Sequence, residues 1–190
     1  MEFHLLNENE LRAIYTVDAQ RDFPQSELRP WNMIEALYRQ GVYEPIGFYE
    51  CGKLIAYALL VTPKDCCTVL LDYFAVLPPY RGGGIGSEIL NTLKEHFKGR
   101  AKYIILESEH PDEAPDKSIA LRRLDFYRRS GAILTDIQDR LFGVLFHIFI
   151  IPCGNAENLD LIRELEAHYH VIIPAELYDS SLEFYTCDNK

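Results

Sequence analysis

Apolar and polar residues follow two distinct periodicities along the 190-residue chain. Short apolar runs that end at glycine, proline or acidic residues are typical of β-strands. They occupy residues 3–6, 45–50, 54–61, 69–76, 103–106, 132–136 and 144–151. Apolar residues spaced three and four apart are typical of amphipathic helices. They occupy two short segments within residues 8–41, and residues 85–97 and 119–129. This order predicts a mixed α/β fold with one sheet flanked by helices.

Local sequence signals predict the secondary structure at both ends of the chain. Asn7 precedes the first helix and Glu10 follows three residues later, which is the spacing of a capping box. Beyond Pro152 the pattern predicts a helix over residues 158–170, a short strand over Val171–Ile173 and a last turn or helix over residues 174–185. We therefore expect one domain over residues 1–151 and a C-terminal helical extension over residues 152–190 that packs on the same domain.

The net charge of the chain limits the kinds of molecule that it can bind. The chain has 19 Lys and Arg against 29 Asp and Glu, a formal charge of −10. Such a surface repels nucleic-acid phosphates and anionic membranes, and it attracts cationic small molecules or basic peptides. We expect no nucleic-acid or membrane partner.

The cysteine pattern and the N-terminal residues indicate the cellular compartment of the protein. Cys51, Cys66, Cys67, Cys153 and Cys187 show neither a CxxC pair nor zinc-ligand spacing, which favours reduced thiols and no metal site. The N-terminal residues lack the basic start and the long apolar run of a signal peptide. No run approaches the ~20 apolar residues of a membrane helix. These features predict a cytoplasmic protein.

A glycine-rich segment joins a strand to a helix at residues 71–88, which read LDYFAVLPPYRGGGIGSE. Glycines let backbone amides approach a ligand closely, and a helix N-terminus adds unpaired N–H groups and partial positive charge. Together they form a cradle for a pyrophosphate. A P-loop would need a lysine where Ile85-Gly86-Ser87 stands, and the dinucleotide pattern GxGxxG is not matched. A purely structural glycine turn remains an alternative.

Two motifs together resemble the GNAT superfamily of acyltransferases. Arg81-x-x-Gly84-x-Gly86, after a strand that ends at Val76, resembles the family's motif A, and Phe126-Tyr127-x-x-x-Gly131-Ala132 resembles its Phe-Tyr-x-x-x-Gly-Phe motif. The resemblance covers about residues 3–151 and implies a single mixed, mostly antiparallel central sheet flanked by helices. The chain departs from the family at Ala120, where an asparagine is frequent, and at Ala132.

The resemblance implies a binding site for acetyl-CoA as co-substrate. The strand before the loop would hydrogen-bond the pantetheine arm like an added β-strand, and the loop amides would hold the pyrophosphate. Tyr127 would donate a proton to the leaving thiolate. The residues assigned to acetyl-CoA are Phe74, Ala75, Val76, Arg81, Gly82, Gly83, Gly84, Ile85, Gly86 and Ser87.

The sequence offers three readings of the general base. Some family members place a glutamate where this chain has Leu70. Glu107, at the end of the next strand, is one candidate. Asp72 is another, because period-two alternation places it on the face of Phe74 and Val76. A water relay without a dedicated base is the third reading.

Trp31, Tyr38 and Glu107 are the candidate acceptor-binding residues, since the family uses the region of the second helix for acceptor specificity. The sequence thus predicts an N-acetyltransferase that moves acetyl from acetyl-CoA to a primary amine of a small molecule or peptide by direct attack in a ternary complex, without a metal. A non-catalytic acyl-CoA sensor or scaffold is the alternative. The extension is a candidate for a homodimer contact or a lid over the acceptor site.

Overall fold

The computed structural model describes residues 1–154 and 159–186. Asn158, at the start of the predicted C-terminal helix, and Cys187 lie outside these residues. The strands are β1 (Glu2–Leu5), β2 (Tyr43–Glu50), β3 (Lys53–Val61), β4 (Thr68–Val76), β5 (Tyr103–Glu109), β6 (Ile133–Leu141), β7 (Val144–Pro152) and β8 (Leu182–Thr186). The helices are α1 (Glu8–Ile14), α2 (Trp31–Arg39), α3 (Ile85–Phe97), α4 (Lys117–Arg129), α5 (Leu161–Ile172) and α6 (Ala175–Ser181). A π-helical turn (Tyr15–Ala19) and a short α-helical turn (Gln20–Asp22) prolong α1.

The strands form one sheet in the order β1-β2-β3-β4-β5-β7-β6-β8. Only the β4–β5 pair among the described residues is parallel, and the other neighbours are antiparallel. The predicted single, mixed, mostly antiparallel sheet flanked by helices is confirmed. The capping box at Asn7 and Glu10 is also present. None of the helices in the described part of the chain is long and apolar enough to cross a membrane.

Each face of the sheet has its own apolar core. Helices α1, α2 and α5 cover one face, where Leu11, Ile34 and Leu165 are buried. Helices α3 and α4 cover the other face, where Leu93 and Leu124 are buried. Burial of these apolar stripes holds the helices against the sheet. A ligand that reaches both faces must therefore pass through the sheet.

A gap between β4 and β5 provides such a passage. The two strands share only three residue pairs, ending with Leu70 opposite Ile105. β4 stays paired with β3 up to Val76, and β5 stays paired with β7 up to Glu109. The two halves of the sheet therefore separate beyond Leu70 and Ile105, and they leave strand edges that no other described strand covers.

A β-bulge interrupts β4 at the mouth of this gap. Leu59 of β3 lies opposite Tyr73, and Leu60 lies opposite Leu71, so Asp72 has no partner residue on β3. A bulge adds one residue to one strand and breaks the alternation of side chains.

The C-terminal extension is fastened to the start of β4 through polar contacts. Glu164 of α5 accepts hydrogen bonds from the Cys67 amide and the Thr68 hydroxyl, both at 2.8 Å. The Thr68 hydroxyl lies 3.0 Å from Nε2 of the fully buried His168. These contacts place α5 over the same face as α1 and α2.

The extension also adds an edge strand. β8 pairs antiparallel with β6 from Leu182 to Thr186. The predicted strand over Val171–Ile173 is wrong: α5 continues to Ile172, which is buried on its apolar face. The apolar run that predicted a strand is therefore the end of an amphipathic helix.

Candidate active site

The glycine-rich loop presents a run of free backbone amides at the start of α3. Gly82 and Gly84 have φ angles of +85° and +83°, a region that residues with a Cβ enter only with strain. Helix α3 begins immediately after Gly84. No acceptor within residues 1–154 and 159–186 bonds the amide N–H groups from Gly82 to Gly86. Consecutive free donors at the positive end of a helix dipole form an anion site.

Close contact with α4 fixes the end of this loop. A Cβ built on Gly86 would lie 3.0 Å from ring atoms of Phe126, so the first turn of α3 approaches this ring as closely as glycine allows. The hydroxyl groups of Ser87 and Ser130 lie 2.7 Å apart. The loop amides are thereby held at a set distance from the helix that carries Tyr127.

Arg81 fastens the loop at its beginning. Its Nε donates to the Val76 carbonyl at 2.7 Å, and its guanidinium donates to the Asp22 carboxylate at 2.8 Å. The Asp22 side chain is only 3% exposed. Arg81 thus joins the end of β4 to the helical segment after α1.

The strand edge before the loop faces the gap. Phe74 and Val76 pack against the core under α3 and α4, whereas Tyr73 and Ala75 belong to the opposite core. The rings of Phe74 and Phe126 stack at 6.5 Å. The predicted co-substrate residues from Phe74 to Ser87 therefore lie in one continuous stretch along the gap and the start of α3.

Tyr127 lies on the face of the sheet that α3 and α4 cover. The residue is 9% exposed and its ring packs 5.7 Å from that of Phe149. Its hydroxyl makes no hydrogen bond to any group in the described part of the chain. Burial raises the pKa of Tyr127, Arg123 opposes this shift, and Glu107 adds to it. Tyr127 is consequently a protonated donor at neutral pH.

Glu107 lies beyond the last residue pair between β4 and β5. The Tyr169 hydroxyl donates to its Oε1 at 2.6 Å. Burial raises the pKa of Glu107 well above its usual range, and the neighbouring Asp139 carboxylate raises it further. A carboxylate with a raised pKa is a better proton acceptor than an ordinary one.

Asp72 is engaged in a buried ion pair. One terminal nitrogen of Arg29 lies 2.7 Å from each Asp72 oxygen, and the Tyr43 hydroxyl donates to Oδ2 at 2.7 Å. The Asp72 side chain is only 5% exposed. The expectation that Asp72 shares a face with Phe74 and Val76 is wrong. The bulge turns its side chain toward Tyr43, on the face covered by α1, α2 and α5.

The two aromatic candidates on α2 occupy different surroundings. Both are half-buried against the core beneath α1 and α2. Trp31 lines a cleft of about 480 Å³ together with Tyr15 and Arg29. Tyr38 is not among the residues that line this cleft.

Three residues of the site were not predicted from the sequence, namely Arg29, Asp139 and Tyr169. Tyr169 contacts Glu107 across 62 residues of chain, and Arg29 contacts Asp72 across 43. Asp139 is fully buried on β6. The sequence signal for Asp139 would have been an acidic residue at a core-facing position of a strand. The predicted strand ended at Asp136, before Asp139.

Comparisons with known proteins identify the family and the fold. Residues 8–131 match the model of the Acetyltransferase (GNAT) family. A segment of 79 residues is 30% identical to an uncharacterized protein of Dictyostelium discoideum; it covers 41% of this chain and 18% of that protein. The chain thus spans less than a fifth of that curated relative.

Two solved structures share the fold at low identity. A GNAT-family acetyltransferase, described as putative, from Bacteroides thetaiotaomicron matches 91% of this chain and 98% of its own with a TM-score of 0.71 and 21% identity. The spermidine N-acetyltransferase of Vibrio cholerae in complex with CoA and spermine matches 80% of this chain and 94% of its own, with a TM-score of 0.59 and 12% identity. With the family model matched over residues 8–131, the chain belongs to the GNAT acetyltransferase family.

Proposed function

We propose that this protein transfers an acetyl group from acetyl-CoA to a primary amine. The observation that carries the proposal is the run of amides from Gly82 to Gly86, which bond no acceptor among the described residues and lie beside the edge of β4 that no described strand covers. These amides would hold the pyrophosphate, and the β4 edge would bond the pantetheine arm as an added strand. Acetyl-CoA supplies an activated acetyl group as a thioester and leaves as a thiol.

The placement of Tyr127 and Glu107 supports direct transfer across the gap. Tyr127 lies on the α3–α4 face, and Glu107 projects to the face covered by α1, α2 and α5. The charge of Glu107 raises the pKa of Tyr127, which supports a placement of the two groups on either side of the gap. In the proposed reaction Tyr127 gives its hydroxyl proton to the departing sulfur. Glu107 takes a proton from the attacking amine nitrogen, which forms the new C–N bond as the C–S bond breaks.

Glu107 suits the role of base better than Asp72. Both Asp72 oxygens already accept from Arg29, and one also accepts from Tyr43. Removing an ion-paired carboxylate from its partner inside a protein is costly. Glu107 has a raised pKa and an oxygen, Oε2, that accepts no hydrogen bond from the described residues.

The charge around the gap favours a cationic acceptor. Burial raises the pKa of Glu27, and the charge of Glu109 raises it further, so the loop before α2 and the end of β5 both contribute acidic groups. Arg123 is the cation near this pair, 3.7 Å from Glu109. An ammonium group would be attracted to this end of the gap. We assign Trp31 and Tyr38 to the acceptor side of the same site, where Trp31 lines the cleft.

The binding step is tested first by calorimetric titration of the purified protein with acetyl-CoA, with NADH and ATP as controls. Saturable binding of acetyl-CoA alone is expected. Failure of acetyl-CoA to bind would remove the basis of the proposal and return the loop to a structural turn.

The catalytic role of Tyr127 is tested by Tyr127→Phe. Loss of the proton donor should lower kcat by about 10²- to 10⁴-fold, while acetyl-CoA affinity stays within about twofold. The measurement is thiol release with a panel of primary amines. Tyr49→Phe is the matched control, since Tyr49 stacks on His4 at the β1–β2 edge. Wild-type binding without turnover on any amine would favour the sensor function instead.

A further inference from the structure

The C-terminal extension contributes a side chain to the centre of the proposed site. Tyr169 of α5 is fully buried, and its hydroxyl contacts Oε1 of Glu107 at 2.6 Å and Oδ2 of Asp139 at hydrogen-bond distance. Glu107 comes from β5 and Asp139 from β6, two strands that are separated in the sheet by β7. One phenol therefore bridges two carboxyl groups that the sheet alone would not connect.

The number of available protons restricts the charge of the cluster formed by Tyr169, Glu107 and Asp139. A phenol has one proton, so it can donate to only one of two carboxyl groups. The second contact is a hydrogen bond only if the other carboxyl group is protonated and donates to the phenol oxygen. Two hydrogen bonds thus require the phenol and the two carboxyl groups to hold two protons in total. The three groups together then carry one negative charge.

The surroundings of Asp139 identify the neutral partner. Asp139 is 0% exposed, and its Oδ1 has no hydrogen-bond partner within the described residues. An ionised carboxylate with a bare buried oxygen is far more costly than a neutral acid. Burial raises the pKa values of both Asp139 and Glu107, so the bare oxygen of Asp139 is what identifies the neutral group. Asp139 therefore holds the shared proton, and Glu107 carries the charge.

We propose that Tyr169 is a positioning residue that shares a proton between Asp139 and Glu107, so that α5 of the extension completes the active site. This inference rests on the proposed function, because it assigns the environment of its base. Tyr169 donates to Glu107 and accepts from protonated Asp139. When Glu107 takes the amine proton at Oε2, the cluster passes from one negative charge to none. A second buried charge is never formed.

Other charged groups near Glu107 are compatible with this arrangement. Asp72 of β4 and Arg29 neutralise each other at 2.7 Å. Tyr127 of α4 is neutral because burial raises its pKa. Ile137, Ile148 and Tyr169 belong to the same apolar core, and the ring of Phe184 lies 6.1 Å from the ring of Tyr169.

Carbon-13 NMR titration of carboxyl-labelled protein tests the inference without turnover. In the wild type one carboxyl group of the pair should titrate well above the usual range of a glutamate, and Glu107→Gln assigns the signals. Asp139→Asn mimics the protonated acid and removes the group that loses its proton last, so the high titration step should disappear while Glu107 keeps a single step. Tyr169→Phe removes the hydrogen bond that Tyr169 donates to Glu107 and that lowers the pKa of Glu107, so the pKa of Glu107 should rise.

Either result by itself, the lost high step in Asp139→Asn or the raised pKa in Tyr169→Phe, is sufficient. Tyr178→Phe is the matched control, because it removes a hydroxyl from the same extension that bonds no described group, and it should leave the titration unchanged. Two carboxyl groups that both titrate below pH 5 in the wild type would overturn the inference. So would identical titrations in wild type, Asp139→Asn and Tyr169→Phe.

A kinetic measurement links the cluster to the reaction. With spermine as probe amine, the acid limb of kcat/KM against pH should stay in place in Asp139→Asn and move to higher pH in Tyr169→Phe. A role limited to packing would lower activity equally at every pH, which would refute a positioning role. Absence of turnover with all amines would refute the proposed function, while the NMR titration would still decide the shared proton.

Discussion

Replacing Arg29 by methionine removes the charge that neutralises Asp72 inside the protein. Asp72 is 5% exposed and Arg29 is 18% exposed, so the variant leaves a carboxylate with the Tyr43 hydroxyl as its remaining hydrogen-bond donor. Removing one partner of a buried pair typically costs about 3–5 kcal/mol, and the partial exposure of Arg29 places the expected loss near the lower end.

The expected loss of about 3 kcal/mol corresponds to a fall of about 6–12 °C in Tm for a protein of this size. Removing both charges, in Arg29→Met/Asp72→Asn, should restore most of the stability, because no uncompensated charge remains. The cycle should give a coupling energy of about 2 kcal/mol.

Urea unfolding measures these free energies, and Trp31, the single tryptophan, provides the fluorescence signal. Arg39→Met is the control, since Arg39 is 61% exposed and its pairs with Glu8 and Glu35 lie at the surface. It should cost at most about 1 kcal/mol. The reasoning is refuted if Arg29→Met is as stable as the wild type, or if the two single losses simply add in the double variant.

Two further perturbations test other parts of the structure. Gly84→Ala should destabilise the protein by about 1–2 kcal/mol because φ is +83° at this position. Gly83→Ala is the control and should be neutral or slightly stabilising, because its added Cβ meets no atom within 4 Å. Equal effects of the two variants in urea unfolding would contradict this prediction. Burial lowers the pKa of His168 to about 4, below its unfolded value, so protonation favours the unfolded chain and stability should fall as the pH drops below about 6.5. By pH 5 the wild type should lose about 2 kcal/mol more than His168→Gln, and parallel pH curves for the two proteins would contradict it.

The sequence by itself determined the features that depend on neighbouring residues. Helix α3 begins at Ile85 and ends at Phe97 as predicted, because its apolar spacing and the preceding glycines are local signals. The capping box at Asn7 is equally local. The motif that contains Tyr127 indicated the family before any contact was known, and the matched family model agrees.

Only the tertiary structure decided which polar groups meet. Strict alternation placed Asp72 beside Phe74, but the bulge in β4 moved it to the other face, and a bulge depends on pairing with β3 rather than on the strand's own sequence. Tyr169 reaches Glu107 and Asp139 only after α5 has packed over the sheet. Such contacts join residues far apart in the chain, and their free energy comes from a burial and desolvation that no local pattern of residues encodes.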